Sequence, residues 1–331
     1  MVTIRDVARI ADVSIATVSR VLNDSEAVRP ETRERVLDAI KALNYQPSSI
    51  ARRLSIGRSF TIGVILPFFT RPSFVERLRG IEAALSYSEY DLVVYNVETP
   101  ARRDAHFAAL AGGGRFDGAI IMSLVPGDED VRRWKAAGVP VVLVDAFHPA
   151  LTCALGDDVR GGRLAAEHLI SQGHRRLAFV GDTRYQPLGF TSSRHRLEGF
   201  RTALADCGII LNEDDILLDE HGRREARAMA EQLLARLPHE RPTAVFAASD
   251  TQALGILDAL RGHGLRAPDD LAVIGFDDIE VAEVYDLTTV RQPLYESGSL
   301  GAELLRDLLE QPDREPVKVE LPLEVVSRGT A

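Results

Sequence analysis

After Phe60 the chain repeats one rhythm. Near-continuous apolar runs, each followed by a stretch of helical character, occur as "TIGVILPFF", "DLVVYNV", "DGAIIMS" and "PVVLVDA", then again as "RRLAFVGD", "DDILLDE", "TAVFAASD" and "LAVIGFDD". A strand that is apolar on both faces must be covered on both, which is the environment of a parallel sheet flanked by crossover helices. The runs leave two ways of closing, a barrel or two doubly wound sheets. Polar residues collect after the strands in two opposed sets, which favours two sheets. The late segment "LTTVRQPLYESGSLGAELLRDLLE" and the following "ELPLEVVSRGT" add a helix and short strands to be shared between them. A chain of 331 residues is long enough for two or three domains.

The first 58 residues are different in charge and in period. They hold ten Lys/Arg against seven Asp/Glu, whereas the remainder holds 29 against 42 and brings the net charge to −10. A basic head on an acidic body is the arrangement expected if only the head meets a polyanion. Four short helices fit this head. Thr3 and Asp6 have capping-box spacing ahead of Ile4, Val7 and Ala8, and Ala11-Asp12-Val13 breaks the first helix. Ser14 caps a second whose Val18, Val21 and Leu22 share one face. Pro30 opens a third, with Val36, Leu37, Ile40 and Leu43 as its stripe, and Pro47 opens a short segment ending at Gly57 that has too little apolar surface to stand alone.

Two helices joined by a tight turn, the second of them short, make a helix-turn-helix, whose second helix suits the major groove of DNA. With Val18, Val21 and Leu22 packed inward, Ile15, Ala16, Ser19 and Arg20 face out. Arg20 has the reach and fork for guanine, Ile15 and Ala16 offer apolar contact, and Thr17, Ser19 and Asn23 are short donors suited to phosphates. Spacing alone leaves a second reading open, a solvated helical bundle with ordinary surface polar groups.

The wording of the sequence goes further. "TIRDVARIADVSIATVSRVLN" and "VRPETRERVLDAIKALNYQPSSIARRL", followed by "IGVILP", "GGRLAAEHLISQGHRRLAFVGD", "RLEGFRTAL", "LAVIGFDD", "LTTVRQP" and "LEVVSRGT", resemble the lactose-repressor (LacI/GalR) family along essentially the whole chain. The resemblance implies an α/β protein with a helix-turn-helix head over 1–46, a hinge helix and linker over 47–59, and a two-lobed periplasmic-binding-protein-like body over 60–331. One lobe would take about 60–156 and 292–320, the other about 157–291 and 321–331. It makes Ile15, Ala16 and Arg20 readers of bases, and Thr17, Ser19, Asn23 and Thr32 phosphate contacts, with Tyr45 supporting the backbone or simply packing in the core. Arg29 stands where the family usually has a capping serine, so the cap is lost while a charge contact remains. In the hinge, Leu54 matches a leucine that wedges between central base pairs, Ala51 lies beside it, and Arg52 and Arg53 would meet flanking phosphates.

In open parallel sheets ligands sit beyond the carboxyl ends of strands. Asp145, Ser249, Asp250 and Asp277 stand there. By resemblance Asp277 and Arg196 are a ligand-binding pair able to grip adjacent hydroxyls, and Phe74 stacks on the effector, while Asp250 and Asp278 could equally cap helices. Phe69, Ser73, Phe190 and Ser192 are weaker candidates. Ser249 replaces an asparagine common among sugar binders, Glu220 and His221 are expected to be solvated, and Ala146 leaves no second aromatic for a purine. These departures favour a carbohydrate effector over a nucleobase.

No catalytic motif, P-loop or metal-spaced Cys/His group occurs, so neither a catalytic residue, a metal nor a cofactor is expected. Cys153 and Cys207 read as small buried hydrophobes. No apolar run is long enough for a membrane and no signal peptide is apparent, which places the chain in the cytoplasm. Without terminal leucine heptads it is expected to be a homodimer. The leading reading is an operator-binding regulator, most simply a repressor, on double-stranded DNA with a small-molecule effector. A sugar-binding uptake protein, a sugar-modifying enzyme with a DNA-binding head, and a regulator answering to a non-sugar corepressor or a partner protein remain as rivals.

Overall fold

The computed structural model describes residues 2–22, 25, 27–45, 58–112 and 115–331. The chain divides into two compact units, residues 1–60 and 61–331.

The first unit holds three helices, α1 (Ile4–Ala11), α2 (Ile15–Leu22) and α3 (Pro30–Ala42). Asp6 accepts from the Thr3 backbone N–H at 3.0 Å and from its hydroxyl at 2.9 Å, fixing the start of α1. Asp12 ends that helix with φ at +50°, a left-handed turn that aspartate tolerates better than most residues. Ser14 Oγ accepts the Thr17 N–H at 3.1 Å and starts α2. Val7, Ala8, Ala11, Val18, Val21, Val36 and Ala39 close a small core, against which Tyr45 packs half-buried. The expected stripe of α3 is corrected at one position: Leu37 is 51% exposed and Ala39 takes its place inside. A 3.6-residue period puts Val36 and Ala39 over the bundle axis and swings Leu37 a hundred degrees away.

The second unit contains two six-stranded sheets. The first runs β11-β5-β4-β3-β1-β2 and the second β12-β10-β9-β8-β6-β7. In the first, β1 (Thr61–Pro67), β2 (Asp91–Val97), β3 (Gly118–Met122), β4 (Val141–Val144), β5 (Thr152–Gly156) and β11 (Lys318–Leu321) are all parallel. The second contains β6 (Leu177–Asp182), β7 (Ile216–Asp219), β8 (Ala244–Ala247), β9 (Ala272–Asp277), β10 (Thr288–Arg291) and β12 (Glu324–Val326), of which only β12 runs antiparallel to its neighbour. Three links join the sheets, after Gly156, after Arg291 and after Leu321. The strand Thr152–Gly156, "TCALG", lacks the β-branched run that marked the other strands and was not among those expected.

Each sheet is covered on both faces, which is why its strands are apolar throughout. Around the first sheet lie α4 (Pro72–Leu85), α5 (Pro100–Leu110) and α6 (Asp128–Ala136). Around the second lie α7 (Asp158–Ser171), α8 (Ser192–Asp206), α9 (Arg223–Leu234) and α10 (Asp250–Gly262). The short α11 (Glu280–Val284) follows β9, and α12 (Leu294–Glu310) returns to the first sheet, where its Ala302, Leu304 and Leu305 pack with Ile62, Val64 and Ile120.

Two glycines set the positions of the helices that carry the site. A Cβ on Gly162 of α7 would lie 1.9 Å from the Arg196 carbonyl oxygen of α8, and one on Gly298 of α12 would lie 1.9 Å from the Arg77 carbonyl oxygen of α4. Both helix pairs therefore approach closer than any side chain permits, each at a buried arginine. Cys153 is buried in β5, but Cys207 is exposed just beyond α8, so the expectation that both are core residues fails for the second. Among the described residues no helix is long and apolar enough to cross a membrane.

Candidate functional site

Between the carboxyl ends of the two sheets lies a cavity of about 600 Å³. Phe74, Asp145, Ser192, Arg196, Ser249 and Asp277 all stand on its wall, as do Ser73 and Phe190. Phe69 does not; its ring is 45% exposed on the loop after β1. The wall is built from strand ends in strained backbone. Ser123 follows β3 with φ +52°, Asp145 follows β4 with φ +58°, and Asp277 ends β9 with φ +117°. Non-glycine residues persist in such conformations when the surroundings over-determine them, and here each turns its side chain out of the pleat and into the gap.

A continuous polar chain crosses the gap. Ser123 Oγ donates to Asp145 Oδ2 at 2.5 Å. Asp145 Oδ1 pairs with Arg77 Nη2 at 3.2 Å, and the same Nη2 donates to Gln292 Oε1 at 3.2 Å. Gln292 Nε2 donates to Asp277 Oδ1 at 2.6 Å, which stands 3.8 Å from Arg196 Nη1. Arg196 Nε donates to Asp158 Oδ1 at 2.8 Å and its Nη1 to the Ala248 carbonyl at 2.6 Å, while its guanidinium carbon sits 3.6 Å over the Phe276 ring. Arg196 is thus buried and committed through two of its nitrogens to the protein; it is neither a surface ion-pair partner nor a free fork. Desolvated cation–π contacts of this kind contribute about 2 kcal/mol.

Burial pushes the Asp277 carboxyl above its ordinary range, against the charges of Arg196 and Arg77 and the Gln292 hydrogen bond that pull it down. Asp182, at the end of β6, behaves oppositely: burial raises it, but the His221 hydrogen bond and charge, with Arg71 and Arg196, hold it below. His221 Nδ1 lies 3.0 Å from Asp182 Oδ1, and Gln252 Nε2 donates to the same oxygen at 3.0 Å. His221 is therefore a partly buried wall residue, which corrects its reading as solvated, because the turn after β7 folds back over β6; Glu220 beside it is exposed.

Ser249 caps α10 by accepting the Gln252 N–H at 3.2 Å, with one side on the cavity. That leaves Asp250 free of the capping role. Fully buried, it accepts from Ile279 N–H at 2.9 Å and Thr289 Oγ1 at 2.6 Å, tying the loop after β9 to β10. Asp278 likewise pairs with Arg291 and Arg328, at 2.7 and 2.8 Å, instead of capping a helix. Sequence reasoning missed Arg71, Arg77, Ser123, Asp182 and Gln292 on the wall. Asp182 and Ser123 carried the available signal, as polar residues ending "LAFVGD" and "AIIMS"; no pattern in the sequence singles out Arg77 or Gln292.

In the first unit, α2 presents Ile15, Ala16 and Arg20 as exposed side chains, with Thr17 and Ser19 half-buried. Thr32 is half-buried on α3, and Arg29 precedes that helix, exposed and making no side-chain cap. Asn23, Ala51, Arg52, Arg53 and Leu54 lie outside the described residues.

A helix-turn-helix unit accompanied by a two-sheet α/β body with a polar cleft defines a class, the ligand-responsive DNA-binding regulators. Comparison with known proteins makes this specific. Residues 3–48 match the profile "Bacterial regulatory proteins, lacI family", and residues 166–331 match the "Periplasmic binding protein-like domain". Catabolite control protein A of Priestia megaterium is 33% identical, over 99% of this chain and 98% of its own. The ribose operon repressor of Escherichia coli is 34% identical over the full length of both. Among solved structures, the lac repressor dimer bound to operator and an anti-inducer superposes with a TM-score of 0.85 at 29% identity, over 99% of this chain and 98% of that one. A CelR–cellobiose complex does so with a TM-score of 0.72 at 32% identity, over 100% of each. The chain belongs to the LacI family of bacterial transcriptional regulators.

Proposed function

We propose that the protein is a repressor that binds a pseudo-palindromic operator as a homodimer, in the cytoplasm, and releases or grips it according to a small sugar-like effector in the cavity. The observation that carries the effector half is the cavity itself. Polar groups at the ends of β3, β4, β6 and β9 converge there beside Phe74 and Phe190, a mixture suited to the hydroxyls and the apolar face of a pyranose or furanose. Asp277 Oδ1 is taken by Gln292, so Oδ2 is the atom left to accept a ligand hydroxyl. Relatives named for ribose operon control and for a cellobiose complex support the carbohydrate class.

For the DNA half, Ile15, Ala16 and Arg20 read bases in the major groove, while Thr17, Ser19, Asn23, Arg29 and Thr32 hold phosphates and Tyr45 steadies them. Residues 1–46 form the reading head, 47–59 the hinge with Ala51, Arg52 and Leu54 at the minor groove, and 60–331 the effector-binding and dimerising body. The effector acts by favouring one arrangement of the lobes, and DNA must change effector affinity by the same factor in return. The protein works by binding alone. Three of the four acidic groups on the cavity wall, Asp145, Asp182 and Asp277, are each engaged by a protein donor.

The test is selection of bound duplexes from a random library with and without a panel of sugars. A palindromic site whose recovery changes with one sugar is the expected result. Recovery of palindromes indifferent to every sugar would move the effector outside the carbohydrates, and no enrichment would end the reading of the head as a sequence reader.

A further inference from the structure

The arginines of the cavity wall are not equivalent. Arg77 pairs with Asp145 and Arg196 with Asp158, at 3.2 and 2.8 Å. Arg184 and Arg201 share Glu213 at the outer rim. Arg194 also lies on the wall without a carboxylate partner among the described residues, but it is exposed to water; Arg71 differs from all of these in being both half-buried and stacked. It sits on the loop between β1 and α4, half-buried, on the wall of the cavity. Its guanidinium carbon lies 4.3 Å over the Phe68 ring, whose centroid is 6.2 Å from that of Phe190, so aromatic surface holds the cation in place. Among the described residues no carboxylate lies within 4.0 Å of it, and the acid that influences it across the cleft, Asp182, is already held by His221 and Gln252.

A guanidinium drawn partly out of water, stacked rather than paired, and facing a cavity is an anion site awaiting its anion. Burial without an ion pair costs free energy, and a charged ligand group offsets that cost while taking two parallel N–H bonds from the fork. Of the acids on the same wall, Asp145, Asp182 and Asp277 have donors of their own, and Glu198 is exposed to water. A neutral sugar offers Arg71 hydroxyl oxygens as acceptors but no counter-charge.

We propose that the natural ligand is an anionic polyol, a sugar bearing a carboxylate or a phosphate, and that Arg71 holds its anionic group. The proposal rests on the carbohydrate-class reading above and narrows it. The polyol end lies toward Asp277 and Arg196, and the anion toward the loop between β1 and α4.

Calorimetric titration of the full-length protein tests this with matched probes: glucose against gluconate, glucuronate and glucose 6-phosphate, and ribose against ribose 5-phosphate. The charged member of at least one pair is expected to bind about tenfold to a hundredfold more tightly than its neutral counterpart, the range set by a hydrogen bond to a charged group. Preference for the acids alone identifies a sugar acid, and preference for the esters alone a sugar phosphate. In Arg71→Gln, with unchanged melting temperature as the check on folding, the charged and neutral members should bind within about threefold of one another. Neutral sugars binding as tightly as charged ones would overturn the proposal and leave the carbohydrate reading standing. A charged preference that survives Arg71→Gln would also overturn it, as the anion would then be held elsewhere. Binding of no probe at all would overturn both.

Discussion

Gln292 donates to Asp277 Oδ1 at 2.6 Å from the link that carries the chain out of β10 towards α12. Its other amide atom accepts from Arg77 at 3.2 Å. One neutral side chain thus spans two buried ionisable groups, Arg77 on α4 and Asp277 at the end of β9, with a donor for the carboxylate and an acceptor for the guanidinium. No charged residue could serve both.

Gln292→Leu keeps the volume and removes both bonds. Each group loses a partner at the cavity wall, so stability should fall by about 2–3 kcal/mol. Urea unfolding measures this. A loss under about 0.5 kcal/mol would mean that water replaces the amide without cost.

The close approach of helices at the two arginines gives a second prediction. Gly162→Ala places a methyl 1.9 Å from the Arg196 carbonyl oxygen, and Gly298→Ala does the same at Arg77. The obstacle is backbone, which cannot rotate away, so each variant should lose about 3 kcal/mol or fail to accumulate, at the severe end of overpacking. A wild-type melting curve for Gly162→Ala would show that α7 and α8 slide apart freely.

Asp250 and Asp277 predict a pH dependence. Burial, then the charge of Asp277, pushes the Asp250 carboxyl well above its ordinary 3.8, and burial also raises Asp277. A carboxyl with a higher pKa in the folded chain binds more protons folded than unfolded, so its contribution to stability declines as pH rises from 3.8 through the raised value. Asp250→Asn removes one such group. Across urea titrations between about pH 4 and 7, the wild type should lose stability relative to the variant as pH rises. Parallel curves would place the proton elsewhere.

For the head, Arg20→Ala should relax preference at one base pair in each half-site and cost about 1–3 kcal/mol on the selected operator. The readout is the selected library itself. Weakening spread evenly over all sequences would make Arg20 a phosphate contact.

Much of this protein was legible along the chain, for reasons that are local. A strand buried on both faces must be apolar throughout, so the runs from "TIGVILP" to "LAVIGFD" announced parallel sheets, and Ser14 beside Val18 and Val21 announced a capped recognition-type helix. Asp145, Ser249 and Asp277 could be marked because strand ends are where such sheets gather polar groups. Which of those groups face one another depends on links far apart in sequence. Arg77 reads as an ordinary charge on α4 until α12 presses Gly298 against it and β10 delivers Gln292. His221 reads as solvated until β7 lies beside β6 and brings Asp182 within reach. Arg71 is one arginine among many in the sequence, and only the tertiary structure shows that it is stacked on Phe68 at a cavity wall, with no carboxylate of the described residues within 4.0 Å. Local patterning determines which segments form and which faces must be hidden. Pairing between distant charges is decided by packing, because burial removes water as the alternative partner and makes the identity of the neighbour decide whether a charge is satisfied.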